Sequence, residues 1–541
     1  MLAKRGWLLL LILTAAVYFY GLGRAPFVGA DEPRYAQVAR EMYERGDAVT
    51  PTLGGHTWFE KPALAYWAAM VGYKLFGVSE GSARLGVALA GWLTVFLVGW
   101  MAKRVEEAGD AETTGWLQLA AGAAAATSAG LIVFSRGVNF DIFITMTVAC
   151  ALAFFFAAEL ETGTRKKRLL LAGFYAGMGA ALLAKGLIGV VIPVGVVAIY
   201  YLLRRRWPGM WKSALWGFFI TVAVAALWYA PVIARHGWAF VDEFFIKHHF
   251  ARYVSNKYHH PQPFWFYLAI IPALMLPWSA FFAAGIYHAR RWNWRGGDDA
   301  LSKLRLFALA WVLFPLLFFS LSGSKLPGYI LPALPGAALL AGERLAAFLR
   351  GEGSARVLRA TGALMLVLAV AGALYELKVA ELSRVCIALV AAPVVAVGAY
   401  VLCATKRRER GVLMVVGVSF LTLVMIVSCA LERASARESV RELLRAAERR
   451  GYGNAPVLNL HTIERTGEFY AAGRLIYDAR DGEPWKFEGP GEVLEVARRR
   501  GEALLVLVPE EHAGQLLYFP PLQAEVIGDN GTLVLIAVRL R

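Results

Sequence analysis

Charge and cysteine are both scarce in this chain. Of its 541 residues only 18% are Asp, Glu, Lys or Arg, where a water-soluble protein carries about a quarter. With 58% hydrophobic residues and a mean hydropathy of +0.51, disorder is excluded and a water-soluble single-core fold is disfavoured. The four cysteines, Cys150, Cys386, Cys403 and Cys429, all lie inside apolar stretches, and no pair has metal-ligand spacing. Neither a disulfide framework nor a zinc–thiolate site is expected. Acids are outnumbered by bases, 40 against 56, for a net charge of +16. In a soluble chain that excess would point to nucleic acid. In a membrane protein, bases gather at the cytoplasmic ends of spans for topological reasons, so the charge has to be located first. There is also no repeat of 20–50 residues, and no matching pair of interrupted hydrophobic segments of the kind many secondary transporters show.

What the chain has is long apolar runs. A bilayer core is about 30 Å thick and takes about 20 apolar residues per helix. Such runs occur near 7–24, 84–102, 115–135, 142–160, 168–184, 186–203, 211–231, 263–287, 304–322, 328–348, 357–376, 383–404 and 411–430, thirteen in all. The first follows Lys4-Arg5 like a signal peptide but continues through aromatics to Gly21–Arg24 without a small-residue cleavage site, and is read as retained. Alternating sides from a cytoplasmic N-terminus puts Lys103-Arg104, Arg165-Lys166-Lys167-Arg168, Arg204-Arg205-Arg206, Arg290-Arg291, Arg356 with Arg359, and Lys406-Arg407-Arg408 all inside. One missed or invented span would invert everything after it, so this agreement supports the count and explains much of the positive charge. The C-terminus then lies outside.

Two outer loops are long, about 25–83 and 232–262. After Glu432 the composition turns polar, and about 110 residues remain, enough for a small domain. A helical stretch at 436–450, strand-like 456–460 and 474–478, a helix near 491–500, a strand at 503–508, and a hairpin signal at 524–538 around Gly528-Asp529-Asn530-Gly531 read as a small α/β domain without a catalytic motif.

The chemistry concentrates at the outer edge. Asp31-Glu32-Pro33-Arg34-Tyr35 opens a segment in which Tyr35, Val38, Ala39 and Met42 recur at helical spacing, an amphipathic helix suited to the membrane interface. A second runs from Lys61-Pro62 to Phe76. Asp31 reads as a helix N-cap, as a carboxylate at the mouth of a cavity, or as both. Glu60-Lys61 reads as an exposed ion pair of little worth, or Lys61 as a base that neutralises a phosphate. Asp141 ends the short turn Ser135–Phe140 at the outer end of a span; it is an N-cap or a carboxylate facing a wet cavity. Lys185, in Ala184-Lys185-Gly186, snorkels or binds an anion, and Ser324-Lys325-Leu326-Pro327-Gly328-Tyr329 repeats a base and a phenol at the same surface. Between 247 and 260 lie Lys247, His248, His249, Arg252, Lys257, His259 and His260. Adjacent histidines cannot share one helical face, which disfavours a four-histidine metal site; one histidine with a distant carboxylate such as Glu60 is the alternative. Lys247, Arg252 and Lys257, with Lys61, Lys185 and Lys325, point to a phosphate-bearing lipid.

Asp31-Glu32-Pro33-Arg34-Tyr35-Ala36, Trp58-Phe59-Glu60-Lys61-Pro62 with Tyr66-Trp67, and Lys325-Leu326-Pro327-Gly328-Tyr329-Ile330-Leu331-Pro332 together resemble glycosyltransferase family 83. Its type enzymes move 4-amino-4-deoxy-L-arabinose from undecaprenyl phosphate to lipid A, a modification linked to polymyxin resistance, and it is related to the protein O-mannosyltransferases. The resemblance covers about 1–430. It implies an integral membrane all-α GT-C fold of 13 transmembrane helices (1–430, with periplasmic loops 25–83, carrying the interfacial helices, and 232–262) and a small soluble periplasmic α/β domain (431–541), in the bacterial inner membrane. Matched by motif, it implies catalytic carboxylates at Asp31 and Asp141 and donor-phosphate binding by Lys61, Arg252 and Tyr329, with Lys185 added. A zinc, if bound, would use Glu60 and His248; no cofactor is required. The implied partners are an undecaprenyl-phosphate-linked sugar, lipid A or another periplasmic acceptor, and the membrane, without nucleic acid. One departure stands out: Ala63-Leu64-Ala65 precedes Tyr66-Trp67 where the aminoarabinose enzymes carry Val/Ile-Ala-Gly, which leaves the sugar and the acceptor open. The alternatives are a polyprenyl-phosphate-dependent transferase acting on protein or another glycan, a lipid or sugar transporter, and a non-catalytic scaffold. A transporter would place its ionisable residues near mid-span, not at the outer edge.

Overall fold

The computed structural model describes residues 2–109, 115–205, 211–244, 261–292, 294, 298–379, 382–403, 407–478 and 482–541. Among these, nine helices are long and apolar enough to cross a membrane: Glu80–Ala108, Asp141–Leu160, Thr164–Lys185, Ser213–Phe244, Ala300–Ser320, Pro327–Leu349, Ala355–Val379, Arg384–Cys403 and Arg408–Ala436. Arg5–Phe19, Leu117–Ala126 and Ile188–Arg204 are shorter apolar helices. The expected stretch 263–287 forms two, Phe266–Leu274 and Ser279–His288. Each apolar run read from the sequence is therefore mostly helical over its described residues, and the chain is a multi-pass membrane protein.

By internal contacts it divides into two compact units. One comprises Met1–Tyr20, Phe59–Ala65 and Gly86–Ile426; the other comprises Gly21–Trp58, Tyr66–Leu85 and Val427–Arg541.

The first unit is a helix bundle. Asp141–Leu160 packs along Thr164–Lys185, and Gly177 lets the two backbones close in: a Cβ there would lie 2.8 Å from Ala151 Cα. Small residues serve this purpose where lipid tails are as apolar as the side chains and packing must supply the attraction. Pro327–Leu349 is the central helix, 94% enclosed over its apolar window, whereas Ala355–Val379 and Arg384–Cys403 are only 22% enclosed and peripheral. Two spans expected to be continuous are interrupted. The run 115–135 breaks at Thr127–Ser128 into Leu117–Ala126 and Ala129–Phe134, and the run 263–287 breaks near Pro277. The breaks face each other: Ala129 N donates to Leu276 O at 2.8 Å, and Trp278 Nε1 donates to Thr127 Oγ1 at 2.7 Å. Backbone groups freed inside an apolar bundle find partners in a neighbouring break, a pairing invisible in either segment alone.

In the second unit, strands β1 (Thr52–Leu53) and β2 (His56–Thr57) form a small hairpin. Strands β3 (Val457–Leu460), β4 (Lys486–Phe487), β5 (Leu504–Pro509), β6 (Leu522–Asp529) and β7 (Leu533–Leu540) form one sheet ordered β4-β3-β5-β7-β6. The β3 pairings are parallel; β5–β7 and β6–β7 are antiparallel, with Val506 opposite Ile536. Alternate residues of β5 point to opposite faces. Leu504, Val506 and Val508 meet Val493 and Ala497 of the helix Pro490–Arg500, while Leu505 and Leu507 meet Leu443 and Ala447 of the helix Arg441–Arg449. Burial on both faces is why β5 reads as an unbroken apolar run. The expected strand 474–478 reduces to isolated bridges at Leu475 and Tyr477.

The first-loop helix Asp31–Arg45 belongs to this unit. Tyr35, Val38, Ala39 and Met42 are buried, with Tyr73 Oη donating to Ala36 O at 2.9 Å and Arg40 set over the Phe469 ring. The apolar face expected to meet the membrane interface is thus covered by protein. Cys150 and Cys403 are free, but Cys386 and Cys429 are disulfide-bonded, which corrects the expectation of a chain without disulfides. They stand at opposite ends of their helices and far apart in sequence, so a search for close spacing cannot find them.

Candidate active site

The first unit gathers one charged cluster from the outer-edge candidates. Asp141 is the first residue of its helix, but it does not cap it. The N-cap residue is Phe140, and Asn139 does the capping, its Oδ1 accepting from Ile142 N at 3.0 Å while its Nδ2 donates to Phe134 O and Gly137 O. The Asp141 carboxylate is left for another purpose. Lys185 is the last residue of Thr164–Lys185, which ends because Gly186 takes a left-handed φ of 77° and donates to Leu182 O. Antiparallel packing brings that helix end to the start of Asp141–Leu160, and Lys185 Nζ donates to Asp141 Oδ1. Each charge also has the sign its helix end favours: acid at the N-terminus, base at the C-terminus.

Tyr329 completes the group. The Ser324–Pro332 segment forms a tight 3-10 turn over Pro327–Ala333, and the Lys185 ammonium lies 4.7 Å from the centroid of the Tyr329 ring, a cation–π contact. Phe319 backs that ring at 6.0 Å. Gly328 is the residue that permits the approach: a Cβ there would collide with Asp141 Oδ2 and lie 2.8 Å from Phe134 Cε1. Gly328 carries no functional group, so the sequence offers no reason to single it out.

Lys325 departs from expectation. Rather than joining the outer bases, it is buried, its Nζ donating to Ser322 O at 2.6 Å and Gln262 O at 3.1 Å. Tyr267 Oη donates to Leu326 O at 3.1 Å. The ammonium neutralises carbonyls where the backbone leaves its helix, so it braces the turn that presents Tyr329.

Glu60 and Lys61 pair with each other, Nζ to Oε1 at 2.7 Å, with side chains only 16% and 12% exposed. The pair is therefore not the solvated one considered above. Beside it Phe59 is buried against His236 and Phe240. Arg252 and His248, with Lys247, Lys257, His249, His259 and His260, lie outside the described residues. Among the described residues no group of three or more His, Cys, Asp or Glu could hold a metal ion.

Asp31 belongs to the second unit. It is not an N-cap either: Ala30 holds that position without a side-chain bond. The Asp31 carboxylate is 62% exposed and pairs with Arg34 at 2.7 Å, and Arg34 Nε also donates to Ala30 O. Arg34 lies over the Trp58 ring. Glu32 pairs with buried Arg84 at 2.7 Å, and Arg84 also donates to the carbonyls of Leu22, Ala25 and Pro26. Sequence pattern singled out neither Arg34 nor Arg84; the partners of Arg84, Glu32 and the carbonyls of Leu22, Ala25 and Pro26, are distant in the chain.

The dolichyl-phosphate-mannose-protein mannosyltransferase family matches residues 6–241. Curated relatives include the undecaprenyl phosphate-α-4-amino-4-deoxy-L-arabinose arabinosyl transferases of Pseudomonas paraeruginosa, 34% identical over 63% of this chain and 60% of that protein, and of Edwardsiella ictaluri, 31% identical over 62% and 59%. The chain thus spans about 60% of the length of the curated relatives it matches. Among solved structures, ArnT from Cupriavidus metallidurans bound to undecaprenyl phosphate superposes with a TM-score of 0.77 at 25% identity, covering 98% of both chains. The Archaeoglobus fulgidus oligosaccharyltransferase shares the fold, with a TM-score of 0.52 at 13% identity over 94% of this chain and 70% of that one.

Proposed function

We propose, for a chain that belongs to the ArnT-like glycosyltransferases of family 83, that it moves an aminoarabinose-type pentose from undecaprenyl phosphate to lipid A at the periplasmic face of the bacterial inner membrane. The observation that carries this reading is the Lys185 ammonium held between the Asp141 carboxylate and the Tyr329 ring at the meeting point of two helix ends. A base and a phenol at the edge of a membrane bundle suit the phosphate of a lipid-linked donor, and a solved relative binds undecaprenyl phosphate.

In this reading the bond from the sugar's anomeric carbon to the donor phosphate oxygen breaks, and one from that carbon to an acceptor oxygen forms. The leaving group is a phosphate monoester that gains charge as the bond breaks. Lys61, Lys185, Arg252 and Tyr329 stabilise that charge by preorganised electrostatics. A lipid A phosphate is already ionised and needs no base, so Asp31 and Asp141 position the acceptor or support the cationic sugar centre. For a hydroxyl acceptor Asp31 would instead take the proton. No step is derived through a metal: Glu60 Oε1 is held by Lys61, and His248 lies outside the described residues. Residues 1–430 carry the transfer, and 431–541 form the periplasmic domain.

The orientation is supported by the bases at the inner loop ends and by the disulfide-bonded Cys386 and Cys429, since disulfides persist in oxidising compartments. Comparison of lipid A by mass spectrometry from cells with and without the gene tests the reading. A pentose-type addition present only with the gene is expected, and Asp31→Asn should abolish it while the protein still folds. An unchanged lipid A with altered protein modification would favour the second reading, a protein glycosyltransferase, which the mannosyltransferase family match over 6–241 supports.

A further inference from the structure

The charge on Lys185 is balanced before any phosphate arrives. Its ammonium sits near the apolar bundle, where an uncompensated charge is costly, and Asp141 Oδ1 is its counter-ion. Tyr329 holds the same ammonium through its ring, whose centroid lies 4.7 Å away. The other carboxylate oxygen rests against Gly328, which has room for nothing larger than hydrogen there. Lys185 is thus anchored by the ring and tethered by the carboxylate. The ring contact can survive a change of anion; the Asp141 contact cannot.

We propose that Asp141 is the resident counter-ion of Lys185 and that the donor phosphate exchanges with it. This rests on the reading of the site as one for a lipid phosphate. As the phosphate takes the ammonium, the Asp141 carboxylate is released toward the sugar, so it becomes available only when a donor is in place. No proton moves; one ion pair replaces another. The same competition acts on the product. Transfer converts a phosphodiester of charge −1 into a monoester of about −1.5 to −2, which Lys185 would hold more tightly, and the return of Asp141 to Lys185 opposes that retention and aids release.

The exchange is tested by measuring the affinity of the purified full chain for undecaprenyl phosphate, with thermal unfolding as a check on folding. Asp141→Asn is expected to bind roughly tenfold more tightly, the size of a typical coupling between sites, and Lys185→Gln more weakly. In the Lys185→Gln background the Asp141→Asn gain should vanish. Gly328→Ala, which crowds the carboxylate off Lys185 without removing it, should also tighten binding and serves if Asp141→Asn does not fold. Unchanged or weaker binding in the folded Asp141 and Gly328 variants overturns the exchange, as does an equal gain with or without Lys185, which would be a general field effect. Failure of the unaltered protein to bind undecaprenyl phosphate overturns the exchange together with the reading beneath it. Normal binding and transfer with no Asp141 effect overturns the exchange alone.

Discussion

Glu468, in the short helix Gly467–Tyr470, is fully buried, and its Oε2 has no hydrogen-bond partner among the described residues. Burial pushes its carboxyl up to about 7, although Arg465, at 2.8 Å, and Arg34 favour the ionised form. An acid whose folded pKa is raised binds more protons folded than unfolded, so stability falls as pH rises from its unfolded value of 4.5 to about 7. The Glu468→Gln variant should show a flatter dependence of melting temperature on pH across this range and a gain of up to about 3 kcal/mol above it. Parallel pH profiles for the two proteins would refute this assignment. The lesson of Glu468 extends to the site. Asp31 and Asp141 stood out in the sequence because charge at a span's end is conspicuous. Whether each caps a helix or faces a partner could not be read there, because Asn139 supplies the capping bond of one helix and Ala30 holds the N-cap position of the other, which leaves both carboxylates for Lys185 and Arg34.

At the scale of elements, the helix Asp31–Arg45 is tied to the start of Glu80–Ala108 by the Glu32–Arg84 pair. Arg84 is 4% exposed and also donates to three loop carbonyls at 2.8–3.0 Å. Removing one partner of a buried pair strands the other, at a cost of about 3–5 kcal/mol. Arg84→Met should therefore lower the thermal unfolding midpoint of the purified protein markedly, and by more than Arg34→Met, whose partner Asp31 can turn to solvent. Equal midpoints would show that the clamp carries no stability. Elements themselves were largely legible. The apolar runs became helices, and the alternating or continuous apolar segments at 457–460, 504–509 and 522–540 became strands, because hydrophobic periodicity is local. The interruptions at Thr127–Ser128 and Met275–Trp278 were not legible, since each break is tolerated only by the partners the other supplies.

At the scale of the whole molecule, alternation of sides assigns the disulfide-bonded Cys386 and Cys429 to the outer face and Cys403 to the inner. A membrane-impermeant thiol reagent applied outside intact spheroplasts should label Cys429, which is half-buried, only after reduction, and Cys403 not at all. Labelling of Cys403 from outside would invert the topology and with it the periplasmic placement of the reaction. The helical apolar runs and the small C-terminal sheet were legible in the sequence alone, because they depend on apolar length and on the spacing of apolar residues, properties of contiguous residues. The tertiary structure decided which charges are shared. It spent Lys325 on two carbonyls, joined Lys61 to Glu60, and set Lys185 between Asp141 and Tyr329 across the space Gly328 leaves open. Some of those pairings join residues 44 and 63 positions apart, others lie farther apart or are neighbours, and helix packing selects among them where composition and spacing cannot.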